Sequence, residues 1–233
     1  TGPPDSSERQ SRMDKFLASD YAVGSLLMAN GWLAAADRLL PGAIPQSLIK
    51  DEAALDWLAF ADTRTQAALH GNAAGLERSG AYPGDPAVAG LAGELLLVEG
   101  RIEAGLARLD LHVETPGPTG YRAAYLSALA ALEQGNWQRF DNIFARRPDL
   151  DETVSGRELR ARAALGQEDA DEALAIYKAL GSESVEGSVY RYRVARAAGD
   201  FEEARALLDI LIGLAPNEPI FRQWSNELDA QDG

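Results

Sequence analysis

Few residues in this 233-residue chain are suited to acid–base or nucleophilic chemistry: two histidines, His70 and His112, and no cysteine. His70 follows Ala67-Ala68-Leu69 at an expected helix end, and His112 lies in the break Leu111-His112-Val113-Glu114. Neither has a second ligand at metal-binding spacing, so both read as surface or helix-terminal residues, with no metal and no cofactor implied. Ser47 and Lys50 stand one helical turn apart, as a nucleophile and its base would, but no companion motif follows and the pair reads as a helix start. Paired carboxylates, Asp51-Glu52 and Glu202-Glu203, fall where first helical turns are expected and suit the positive end of the helix dipole. The glycines never take a phosphate-cradling spacing. The sequence therefore offers no catalytic set, and a non-enzymatic role is expected.

The elements that would position any site follow from composition. There are 41 Ala and 31 Leu against 8 Val and 8 Ile, a bias toward residues that lose little side-chain freedom in a helix. With 22 Lys+Arg, 36 Asp+Glu and a formal charge of -14, general nucleic-acid binding is excluded. The length is ample for a core that needs no covalent staples. No apolar run reaches the ~18 residues that span a bilayer; Leu95-Leu96-Leu97-Val98 is closed by Glu94 and Glu99. The polar start, Thr1 to Gln10, resembles a tether left by a removed leader or lipid anchor, which favours a periplasmic or membrane-anchored location over the cytoplasm.

From about Ser19 the chain alternates Ala/Leu-rich stretches with short Gly, Asn, Asp or Pro breaks. The clearest unit, Val185 to Glu218, predicts a helix ending at Gly199 in the left-handed turn, a second helix capped by Asp200, and a stop at Pro216. Tyr192, Gly199, Ala204 and Leu208 recur in offset as Gly93, Gly100, Gly105 and Leu109, and as Gly24, Gly31, Ala36 and Leu40. Asp85-Pro86, Gly135-Asn136-Trp137 and Glu172-Ala173 with Tyr177 mark further units, with Phe140 where a small residue is expected. The stretch from Asp51 to Pro83 fits least well, with a long first helix and a Gly-broken second one. Trp32, Trp57 and Trp137 are expected in the packing between hairpins.

This pattern resembles the tetratricopeptide repeat, a period of 34 residues with small residues at the eighth and twentieth positions and a large apolar one at the twenty-fourth. The signature Trp at the fourth position is missing from every unit. The resemblance implies an all-α fold: an α-solenoid of antiparallel helix hairpins in a right-handed superhelix. It assigns residues 1–16 to a polar tail, 17–218 to about five repeats and 219–233 to a C-terminal capping helix and tail. Ile220, Phe221, Trp224 and Leu228 form the apolar stripe of that cap, and Asn217 with Pro219 its start.

In such arrays the first helices line a concave groove. Carried onto this chain, the groove positions give Arg122, Tyr125 and Leu129, then Arg193 and Arg196 with Tyr190, with Arg157 and Arg160 between them. Of the basic residues 19 are Arg and 3 Lys, and the Arg fork suits bidentate carboxylate recognition. The groove is read as binding an acidic or carboxylate-ended peptide with Tyr125 and Tyr190 as flat anchors. The competing reading pairs these arginines with carboxylates of neighbouring helices, such as Glu133, Glu158 and Glu186. The Ala- and Arg-rich, Lys-poor composition looks like that of a bacterial protein, and similar proteins assist assembly of envelope, secretion or polysaccharide systems. The resemblance thus implies a protein-interaction scaffold. The rivals are an accessory domain of a larger enzyme, such as a transferase or oxygenase, and a module that self-associates as a homodimer.

Overall fold

The computed structural model describes residues 52–230, with side chains from residue 59 onward. Among the described residues every regular element is helical. The chain divides into two compact units, one running to Ser127 and the other from Ala128. The expected polar tail, the repeat containing Gly24 to Leu40, Trp32, the Ser47 and Lys50 pair and Asp51 lie outside the described residues, as do the side chains of Glu52 and Trp57.

In the first unit, α1 (Glu52–His70) and α2 (Asn72–Ser79) form one hairpin, and α3 (Pro86–Val98) and α4 (Ile102–Asp110) the next. The long and short helices of the first hairpin match the Gly-broken stretch read from sequence. Asp85 caps α3 by accepting from the amides of Ala87 and Val88, and Pro86 occupies the first turn, where its missing N–H costs nothing. Helices α3 and α4 cross at two glycines. A Cβ on Gly105 would lie 2.9 Å from the Gly93 carbonyl oxygen, and one on Gly93 would lie 2.8 Å from Leu109 Cγ. The close approach lets Val88, Leu91, Leu95, Leu106 and Leu109 bury their side chains.

A charged group is buried in the first hairpin. Asp62, 1% exposed, accepts from Arg78 Nη1 at 3.0 and 2.8 Å and from the Tyr82 hydroxyl at 2.5 Å. A buried carboxylate is tolerated only when its oxygens are satisfied in this way, so the trio ties α1 to α2 and to the turn that follows.

Helix α5 (Pro118–Glu133) begins in the first unit and ends in the second. The second unit continues with α6 (Trp137–Arg146), the short 3₁₀ helix η1 (Pro148–Glu152), α7 (Val154–Gly166) and α8 (Ala170–Leu180). A second 3₁₀ turn, η2 (Gly181–Glu183), leads to α9 (Val185–Ala198), α10 (Phe201–Leu214) and α11 (Pro219–Asp229). Asn136, Thr153, Asp169, Ser184 and Asp200 each accept from the backbone N–H three residues on, which satisfies a donor that a helix start leaves unpaired. Gly199 closes α9 in the left-handed region at φ 76°, as its sequence context predicts.

Tyr192, Ala204, Leu207, Leu208 and Leu211 form the core of the last hairpin, and Phe221 and Leu228 of α11 close it. Trp137 is half-buried against α7, where only a glycine fits: a Cβ on Gly166 would lie 2.5 Å from its ring. Phe140, in the place of a small residue, is buried and packs on Phe144 at 4.7 Å between centroids. The capping helix departs from expectation at its start. Glu218, not Asn217, stands at its N-cap and makes no side-chain cap bond, with Pro219 in the first turn. Ile220, assigned to the apolar stripe, is 37% exposed.

Candidate interaction surface

The helix register sets which side chains face outward. Gly93 and Gly105, Ala161 and Ala173, and Tyr192 and Ala204 are buried pairs twelve residues apart, each joining the two helices of one hairpin. The residues next to the first member are Glu94, Arg162 and Arg193, and two of these three form ion pairs with the first helix of the following hairpin. Glu94 accepts from Arg122 Nε at 3.0 Å and Nη2 at 2.6 Å. Arg162 donates to both oxygens of Glu186. Arg196 Nη2 lies 3.0 Å from Glu227 of α11. Each guanidinium fork has five donors, more than the two oxygens of one carboxylate engage in a bidentate pair.

The residues read from sequence fall on this surface unevenly. In the first unit Arg122 is engaged by Glu94, and Tyr125 is half-buried and stacked on Tyr121 at 6.4 Å. In the second unit Leu129 is half-buried, and Tyr190 packs on Tyr177 at 5.2 Å. Arg193 and Arg196 both line an open cavity of about 510 Å³ with Tyr192, Ala197 and Trp224. Arg160 faces elsewhere. Its guanidinium lies 4.3 Å above the Phe144 ring and is held by Asp151 at 2.5 and 2.8 Å. Two residues of helix rotate a side chain by about 200°, which puts Arg160 on the other side of α7 from Arg162. Arg157 is half-buried, with its Nε unpaired.

Sequence reading missed Arg162 because it expected a longer turn from Gly166 to Ala170; the turn has three residues, as does that between α3 and α4, and its left-handed position is Glu168 (φ 65°) rather than a glycine that would mark the register. Counting twelve residues back from Ala173 locates Ala161 and, beside it, Arg162. The arginines do pair with neighbouring helices, though not in the combinations first considered: Glu186 binds Arg162, and Glu158 accepts from the Ser184 hydroxyl at 2.6 Å.

Glu186 is the most connected carboxylate of this surface. It accepts from Tyr177 Oη at 2.6 Å as well as from Arg162. Burial works to raise its pKa, and the hydrogen bonds from Arg162 and Tyr177 outweigh that, so the carboxyl is held below the usual range. The Tyr177 phenol is pushed up, first by burial and then by its bond to Glu186.

His112 sits at a second opening with Ser79, Tyr82 and Arg108, and burial and the Arg108 charge both lower its pKa. The hydroxyls there are engaged, Ser79 with the Leu76 carbonyl and Tyr82 with Asp62, so no nucleophile is paired with this imidazole. Among the described residues no group of His, Asp and Glu has the arrangement of a metal site, and no helix is long and apolar enough to cross a membrane.

No protein-family model matches the sequence, and no curated protein matches it. Among solved structures the chain is similar to a tetratricopeptide repeat protein from Parabacteroides merdae, with a TM-score of 0.55 and 15% identity over 89% of this chain and 96% of that one. At that identity the likeness shows the fold, an all-α array of tetratricopeptide-like helical hairpins.

Proposed function

From a tetratricopeptide-like fold, we propose that this protein is a non-enzymatic interaction scaffold that binds a protein or peptide partner carrying carboxylates on the outward faces of its first helices. Arrays of this fold are typically protein-binding and non-enzymatic, since stacking hairpins creates extended surface rather than a convergent reactive site. The observation that carries the reading is the ordered set of arginines on those faces: Arg122 in the first unit, and Arg162 and Arg196 in the second, each held by a carboxylate. A guanidinium already fixed in place loses less freedom when it engages a partner, and its remaining donors match a second carboxylate. Tyr125 and Tyr190 supply flat contact area beside them.

The finer assignment is to assembly of a bacterial envelope, secretion or polysaccharide system, on the strength of the Arg-rich, Lys-poor composition. Affinity capture from the source organism, with wild type beside an R193E/R196E variant, tests the groove. Partners captured by wild type and lost by the variant support it; an unchanged partner set would falsify it. Fractionation of the same cells checks the compartment, and a purely cytoplasmic protein removes the envelope assignment.

A further inference from the structure

The Arg162–Glu186 pair of the second unit has no counterpart at the next helix along. Arg162 is the ninth residue of α7 and pairs with Glu186, the second residue of α9. Arg193 is the ninth residue of α9, but the second residue of α11 is Ile220. The counterpart position in α11 thus carries no carboxylate, and among the described residues none is paired with Arg193. Its guanidinium lies instead 5.9 Å from the Trp224 ring centroid.

The surroundings of Arg193 are ordered and polar in one sense. Trp224 is stacked on Tyr192 at 4.7 Å and 11° and is buttressed by Phe221 at 5.7 Å, so the aromatic wall is fixed. Tyr192 is 1% exposed, and its hydroxyl is buried with no hydrogen-bond partner, an arrangement that ordinarily costs stability. Two guanidinium groups, Arg193 and Arg196, line the cavity, its lining includes no carboxylate, and Glu227 of α11 pairs with Arg196. A site of net positive charge in a protein of net charge -14 attracts an anion. The internal pairs show which anion fits the outward guanidinium: a glutamate side chain, as in Glu94, Glu186 and Glu227.

We infer that the cavity between α9 and α11 receives an acidic side chain of a partner peptide, which supplies to Arg193 the carboxylate that Ile220 withholds. This deepens the scaffold reading and rests on it: the capping helix, besides closing the core, forms one wall of the partner site. Inorganic phosphate is the alternative anion that the same experiment exposes.

The probe is the peptide N-acetyl-Ala-Glu-Leu-Glu-Ala-amide, with its Gln-for-Glu counterpart and inorganic phosphate as controls. Binding is followed by the Trp224 indole N–H resonance, assigned by its loss in W224F. The Glu peptide is expected to shift that resonance and the Gln peptide to leave it in place. R193Q, which breaks no ion pair, is expected to weaken binding about tenfold. Ile220→Glu is expected to do the same by installing the missing carboxylate within the chain. Unchanged binding in both R193Q and I220E, or an equal response to phosphate, overturns the inference. If Trp224 stays silent while the peptide shifts residues around Arg162 or Arg122, this cavity fails and the scaffold reading stands; if the peptide and the captured partners bind nowhere on these faces, both fail.

Discussion

Glu186 ties two groups of the outward face to one carboxylate. Its carboxylate gathers Arg162 and the Tyr177 hydroxyl, and the folded state holds its pKa below the ordinary 4.5. A carboxyl whose pKa falls on folding contributes stability that is fully present above the unfolded value and is lost as pH falls through the folded one. The variant E186Q is therefore expected to cost about 1 kcal/mol in urea denaturation at pH 7. That difference from wild type is expected to shrink as the pH drops below 4.5, and a gap that stays constant to pH 3 would assign the effect to packing. Glycines make a second contrast at this scale. A Cβ on Gly156 would overlap the Leu150 carbonyl, whose position is fixed by η1, whereas one on Gly90 of α3 meets nothing within 4 Å. Thermal unfolding is expected to show G156A destabilised by about 3 kcal/mol or more, and G90A stabilised by about 0.5 to 1 kcal/mol. Neither sign was legible from sequence, because the two glycines differ only in what stands opposite them.

Helix ends were the most legible elements. Asp85-Pro86, Gly135-Asn136 and Gly199-Asp200 each combine a turn residue with a side chain that accepts from the next helix, and the structure uses all three as the sequence suggests. The Asp200 carboxylate accepts from the Glu203 amide at 3.1 Å, and the α10 start also carries Glu202 and Glu203 at the positive end of its dipole. D200A is expected to cost about 1 kcal/mol, and D200N to recover most of it, since an amide oxygen caps as well as a carboxylate. Equal losses in the two variants would point to charge rather than capping. What the sequence hid at this scale was register. Between α6 and α7 the chain inserts η1, and between α7 and α8 the left-handed turn position is taken by Glu168, at φ 65°, where α3–α4, α5–α6 and α9–α10 have Gly100, Gly135 and Gly199. Offsets carried through such breaks drift, which is why Arg160 was grouped with Arg193 and Arg162 was not. Buried small residues anchor register better than turns, because only they are fixed by the contact between helices.

Within each unit the hairpins pack on their neighbours in the chain, α1 and α2 on α3 in the first and α8 on α9 in the second, so stability is expected to be local rather than shared evenly. Leu228 tests this. It is 1% exposed and lies in the core that Tyr192, Leu207, Leu208 and Leu211 share with the capping helix. Truncation in L228A removes buried methyl groups and leaves a cavity, for an expected loss of about 2 to 5 kcal/mol. In a globular core that loss would lower protection everywhere. Here hydrogen exchange is expected to accelerate in α9, α10 and α11, while amides of α3 and α4 keep their wild-type protection. Uniform acceleration would instead mean that the array unfolds as one cooperative body. The outcome bears on function as well: Trp224 and Arg193 belong to the elements that L228A loosens, whereas Arg122 and Glu94 do not. If stability is local, L228A is expected to abolish the Trp224 response to an acidic peptide at a temperature where the Arg122 and Glu94 surface remains folded.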